Sequence, residues 1–278
     1  MEDLNKPLVI TYCNKYKTNN YENTRRLVET LEKNNWDYMV LGEGEEWKGF
    51  TTKMIAYKNY LNLLNPEKIV VISDAHDVYC IRNSQLFIND FKLLNKNIIV
   101  SMELYAEGSL IYDPNINYVQ VTWLGPYFES NNIDYNKINR KFVNSGLIAG
   151  YAKDILEYFN WSLKNNYIDD QKALGAYINT FPNTVYTDLD ANFLHTTGSF
   201  ICGGLNSHIQ VSDSPSINEL IGQKSYFLHI PGLNFSPGQK FLYESIYKVL
   251  QFLNYNVVQK IYENYDLINF KKYYQNNN

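Results

Sequence analysis

The chain has 278 residues, 45% hydrophobic and 19% charged, so a packed core is expected and disorder is not the default. The net charge is −4 and no basic block stands out, so nothing points to a nucleic-acid partner. Cys13, Cys80 and Cys202 are far apart and lack CxxC spacing, which argues against a disulfide framework or a zinc site.

No 18-residue apolar run is present, so no membrane span is expected. The opening MEDLNKPLVITYC lacks the basic-then-apolar pattern of a signal peptide. A reducing, cytoplasmic setting is the expectation.

Leu8–Tyr12 (LVITY) reads as a buried strand, and Asn23 to about Lys33 as a helix with Leu27, Val28 and Leu31 on one face. Tyr38–Leu41 is a second strand. Thr51 or Thr52 is expected to cap a helix through Leu64. Ile69–Ser73 is a third strand, Ser84 caps a helix to about Leu94, and Asn97–Ser101 is a fourth strand. This alternation predicts an α/β fold, a mostly parallel sheet with helices on both faces. Ligands in such sheets bind beyond the carboxyl ends of the strands.

Between Glu103 and Arg140 the pattern fails, and long functional loops are expected. Regular structure resumes at Lys141–Gly150, followed by helices over Lys153–Asn165 and Asp169–Asn179. Short strands are predicted at Thr184–Thr187, His208–Ser212 and Tyr226–Ile230. Ser236-Pro237 opens a C-terminal helix reaching Leu253. The expectation is one domain over residues 1–278, with a core over 8–235 and a helical appendage over 236–278.

The residues that can carry chemistry stand at strand ends. Asp74 and Asp77 follow the apolar run IVVIS, and paired carboxylates there can hold Mg²⁺ or Mn²⁺. A simple Asp-rich turn is the alternative. His76, between them, reads as a ligand, an aromatic shelf for a flat base, or an exposed turn residue. His229 ends a later strand and can supply a third ligand. Gly232, three residues on, would let backbone N–H approach a phosphate.

Asn144-Ser145-Gly146 reads as a small polar cluster admitting a sugar, or as a bend before a strand. Asp169 and Asp170 open a helix, where one acid would suffice to complement the dipole. His195 and His208 read as structural. No P-loop, G-x-G-x-x-G or G-x-S-x-G motif occurs.

An apolar strand into D-x-x-D, then N-S-G, then D-D-Q opening a helix, then H-x-x-G after a late strand, resembles the glycosyltransferase domain of the procollagen-lysine hydroxylases. More distantly it is similar to glycogenin-type retaining glycosyltransferases. The resemblance spans about Leu8 to Phe235, and the Asn-rich composition suits a giant-virus homologue, in host cytoplasm or virion.

The resemblance implies a GT-A (Rossmann-like) fold, a UDP-sugar donor, and Mn²⁺ or Mg²⁺ on Asp74, Asp77 and His229. It implies that His76 lies under the uracil, that Thr11, Trp47 and Lys53 lie near the nucleotide, and that Asn144, Asp169 and Asp170 face the donor sugar and acceptor. Trp123 matches an aromatic loop near the acceptor more loosely. Two positions depart from the family pattern. Phe235 stands where a diphosphate-neutralising lysine is expected, with Lys240 five residues later as a substitute, and Pro231 stands in place of Asn.

The reaction so implied moves glucose or galactose from a UDP-sugar to an acceptor hydroxyl, with retention. The acceptor would be galactosyl-hydroxylysine of a collagen-like chain or a glycan. A UDP-sugar-binding module with little turnover is the second reading, motivated by Phe235. A metal-dependent phosphoesterase on Asp74, Asp77 and His229 is the third.

Overall fold

Helices cover both faces of the inner strands, which are apolar on both sides. The computed structural model describes residues 3–15, 22–103, 124–138, 140–196, 225–229 and 231. The chain divides into two units, Met1–Ser207 with Gln223–Ser236 and His208–Gly222 with Pro237–Asn278. All described residues lie in the first.

The described strands are β1 (Leu8–Tyr12), β2 (Asp37–Leu41), β3 (Ile69–Ser73), β4 (Val78–Cys80), β5 (Ile98–Glu103), β6 (Phe142–Tyr151), β7 (Val185–Asp188), β8 (Leu194–Thr196) and β9 (Phe227–His229). The helices are α1 (Glu22–Lys33), α2 (Phe50–Leu61), α3 (Ser84–Leu94), α4 (Gly125–Ser130), α5 (Ala152–Lys164) and α6 (Asp170–Thr180), with a 3₁₀ turn at Tyr135–Lys137. The sheet order is β2-β1-β3-β6-β5-β8-β9-β4, with β7 also pairing β5. Five pairings are parallel and three antiparallel, so the sheet is mixed but mostly parallel, as its α/β alternation predicts.

Alternate residues of the inner strands feed two cores. Leu8, Ile10, Val70, Ile72, Ile98 and Val100 pack with Met54 and Tyr57 of α2, Ile155 and Phe159 of α5, and Leu174 of α6. Val9, Ile69, Val71 and Ile99 pack on the other face with Leu27 and Leu31 of α1 and Phe87 and Phe91 of α3.

Strand β6 runs antiparallel between β3 and β5. Val100 pairs Ile148, but the next residue, Ser101, pairs Asn144. Ser145, Gly146 and Leu147 therefore have no opposite number in β5, and the strand bulges there. Such irregularities re-aim side chains beside active sites. Asn144-Ser145-Gly146 is thus a bulge inside a ten-residue strand, not a bend before one.

Other local expectations are corrected. The cap of α2 is Gly49, whose φ of 99° and ψ of −178° suit only glycine, and not Thr51 or Thr52. The cap of α3 is Asn83, whose side chain accepts from the Gln85 N–H, while the Ser84 hydroxyl donates to the Asn35 carbonyl. The three-residue strands β4 and β8 are too short for periodicity to reveal, and the segment read as loop carries α4 and the 3₁₀ turn. The strand expected at His208–Ser212, the helix from Ser236, and Trp123, Gly232, Phe235 and Lys240 lie outside the described residues.

Both cores should be stability-determining. Ile72→Ala, on one face, and Leu27→Ala, on the other, are each expected to cost about 2–5 kcal/mol. Urea denaturation should show a lower midpoint with an unchanged slope.

Candidate active site

The exit of β3 is pinned from both sides. The Ser73 carbonyl accepts from the hydroxyls of Thr11 (2.8 Å) and Tyr57 (3.3 Å), and the Asp74 N–H donates to the Gly146 carbonyl at 2.8 Å. A backbone held this way fixes where Asp74 begins its side chain. Four residues beyond Asp74, β4 starts at Val78, opposite His229 of β9. The pairing of β4 with β9 thereby brings a distant histidine to the D-x-x-D turn.

His229 Nε2 lies 3.4 Å from Asp77 Oδ1 and 3.9 Å from Asp74 Oδ2. One ligand atom from each of Asp74, Asp77 and His229 falls within 4.8 Å of the others. Gly146 makes room for the imidazole: a Cβ there would collide with His229 Cε1 and come within 2.7 Å of Nδ1. The glycine of N-S-G is therefore required by the ring it touches.

On the other side of Asp74 stands Lys53, delivered by α2. Its Nζ is 2.9 Å from Asp74 Oδ1 and 2.7 Å from Asp170 Oδ2. Burial pulls the Lys53 ammonium down, but Asp170 and Asp74 outweigh it and hold its pKa well above the ordinary value. Burial raises the Asp74 carboxyl, but Lys53 and then His229 outweigh it and leave it below its usual range. At Asp170 burial wins over Lys53, and the pKa is raised. At His229 burial is outweighed by Asp77, and the pKa is raised.

Three carboxyl groups and one lysine meet in the cluster, so acidic charge is in excess there. Two carboxylates and an imidazole are a donor set suited to Mn²⁺, and a divalent cation would neutralise that charge. The residues present fit such a cation.

The expected sugar-facing acids differ in situation. Asp169 caps α6, its Oδ1 accepting from the Lys172 N–H at 2.9 Å, whereas Asp170 is buried against Lys53. Asn144 is committed locally: its Oδ1 accepts from the Gly146 N–H at 2.8 Å, and its Nδ2 donates to Glu103 at 3.3 Å. Gln171 Nε2 donates to the other Glu103 oxygen at 3.3 Å.

Glu103 is fully buried at the end of β5. It was missed in the sequence although IIVSME ends in an acid, the same signal as at Asp74, because a single carboxylate has no spacing to read. Gln171 stood in D-D-Q without a role.

His76 is tied to α1 by a 3.2 Å contact between its Nδ1 and Thr24 Oγ1. Burial lowers its pKa against the pull of Asp77 and Asp74. Trp47 is 45% exposed, with its ring 5.8 Å from Tyr12 and 5.9 Å from Phe50. The structure thus brings Asp74, Asp77, His229, Lys53 and Asp170 into one cluster. Asn144 joins it through Gly146 and Thr11 through Ser73, while Trp47 stands in the neighbouring aromatic group.

A mimivirus protein, "Uncharacterized protein R699" of Acanthamoeba polyphaga mimivirus, is 23% identical over 158 residues, 52% of this chain and 30% of the relative. The chain therefore matches under a third of that relative's length. The relative agrees with the giant-virus kinship expected from the sequence.

Among solved structures, a glycosyltransferase involved in glycosylation of the major capsid of PBCV-1 aligns over 88% of this chain and 99% of its own. It shows 12% identity and a TM-score of 0.49. The 4-diphosphocytidyl-2C-methyl-D-erythritol synthase of Anaerococcus prevotii DSM 20548 aligns over 70% and 90%, at 11% identity and a TM-score of 0.34.

The family model described as "PLOD GT domain" matches residues 5–184, which is 180 of the 278 residues and includes Lys53, Asp74, Asp77, Asn144 and Asp170. On that match the chain belongs to the PLOD GT domain family, a family of glycosyltransferase domains.

Proposed function

We propose that the chain is a metal-dependent hexosyltransferase. It takes glucose or galactose from a UDP-sugar to an acceptor hydroxyl, with retention at the sugar carbon. Galactosyl-hydroxylysine of a collagen-like chain is the first acceptor, and a glycan the next. The carrying observation is the convergence of Asp74, Asp77 and His229 within 4.8 Å, beside Lys53 and Asp170, in a chain of a glycosyltransferase family.

Asp74, Asp77 and His229 would hold Mn²⁺ or Mg²⁺. The bound cation would supply Lewis-acid stabilisation of the charge on departing UDP. Lys53 keeps the carboxylates of Asp74 and Asp170 in register, so that neither turns away from the site. Asp170 then offers a buried carboxylate to the acceptor hydroxyl or the positive charge of the sugar. Asp169 orients the helix that carries it.

Asn144 acts by shaping the bulge at Gly146, and through it the space for His229. His76, steadied by Thr24, lies under the uracil, with Trp47 and Thr11 on the nucleotide side. Gly232 and Lys240 serve the diphosphate.

UDP release from UDP-glucose and UDP-galactose tests this directly. Mn²⁺ should support release and EDTA should abolish it. Asp77→Asn should lower the rate at least about a hundredfold, since cation stabilisation is worth several kcal/mol. Full activity of Asp77→Asn, or activity in EDTA, would sink the assignment. UDP binding without release of sugar would instead favour the binding-module reading that Phe235 motivates, and hydrolysis of a simple phosphate ester without preference for uridine would favour the phosphoesterase.

Gly146→Ala should leave the fold intact but displace the His229 ring. Calorimetric titration should then show Mn²⁺ affinity reduced about tenfold or more. Unchanged affinity would contradict the packing of Gly146 against the ring.

A further inference from the structure

We propose that Thr196 is the positioning residue of the metal centre: its hydroxyl accepts the Nδ1–H of His229, fixes that tautomer, and turns Nε2 toward the cation. The proposal rests on the reading that Asp74, Asp77 and His229 hold a metal. Thr196 and His229 are direct partners in the parallel pairing of β8 with β9, so their side chains leave the sheet on the same face. Thr196 Oγ1 lies 3.5 Å from His229 Nδ1, and both residues are buried, at 0% and 2% exposure.

The opposite nitrogen, Nε2, is the one that faces Asp77 and Asp74. Gly146 closes the ring's other side, against Cε1 and Nδ1. The imidazole is therefore held between a hydroxyl and a bare backbone.

The backbone that carries the hydroxyl is itself fixed. Buried Arg140 donates from Nη1 to the carbonyls of Thr196 and of Met102 (2.9 Å), which ties β8 to β5 where they scarcely pair. A histidine ligand whose second nitrogen is hydrogen-bonded is oriented and made more basic, and loss of such a partner weakens metal binding 10- to 100-fold.

The test uses the full chain with UDP present and reads free Mn²⁺ by electron paramagnetic resonance. Thr196→Val keeps the β-branched shape and removes the hydroxyl. It should weaken Mn²⁺ about tenfold, and Thr196→Ser should restore affinity. Equal affinity of Thr196→Val and wild type would overturn the proposal.

His229→Ala is measured alongside. If it binds Mn²⁺ like wild type, the metal reading and this proposal fall together. If it loses Mn²⁺ while Thr196→Val does not, only this proposal falls.

A second readout needs no variant. With Mg²⁺ and UDP bound, the ¹⁵N shifts of the His229 ring should report a proton on Nδ1. A proton on Nε2 under those conditions would overturn the proposal.

Discussion

Three carboxylates crowd the ends of the central strands, and their mutual repulsion is the constraint around which the site is built. Asp74, Asp77 and Asp170 arrive from the D-x-x-D turn and from α6. Lys53 bridges two of them at 2.9 and 2.7 Å, and His229 faces Asp77 and the second oxygen of Asp74. Breaking a buried ion pair by removing one partner typically costs about 3–5 kcal/mol, so Lys53 is needed for the acids to coexist there. Even with it the cluster remains negative, and a divalent cation would complete the balance.

The fold supplies this arrangement through antiparallel strands in a mostly parallel sheet. Strand β6 enters antiparallel between β3 and β5, and its bulge presents the Gly146 carbonyl to Asp74 and a side-chain-free backbone to His229. Any residue other than glycine at 146 would carry a Cβ into the imidazole. Short strands β4, β8 and β9 then return His229 to a turn more than 150 positions earlier. The buried Glu103, held by Asn144 and Gln171, braces the bulge from the β5 side. Sheet topology thus sets the bulge of β6 beside Asp74 and His229.

Much of this was legible before the structure. The long apolar runs Leu8–Tyr12 and Ile69–Ser73 announced buried strands, and the apolar face of Leu27, Val28 and Leu31 announced α1. Asp74, Asp77 and His229 stood out because acids and imidazoles rarely end buried strands. Hidden from the sequence were relations that only pairing creates. Gly146 is ordinary until His229 lies against it, and Thr196 is one hydroxyl among many until β8 pairs β9. Arg140 stood only at the boundary of a patternless segment, yet it joins two strands. The doubled acid of D-D-Q resolved into a cap, Asp169, and a buried partner of Lys53, Asp170.

The central claim is that Asp74, Asp77 and His229 share one divalent cation. The most direct measurement is anomalous diffraction at the manganese edge from crystals soaked with Mn²⁺ and UDP. One peak within bonding distance of both carboxylates and of His229 Nε2 is the predicted result. Bound UDP with no peak there, or a peak whose ligands leave out His229, would contradict the account.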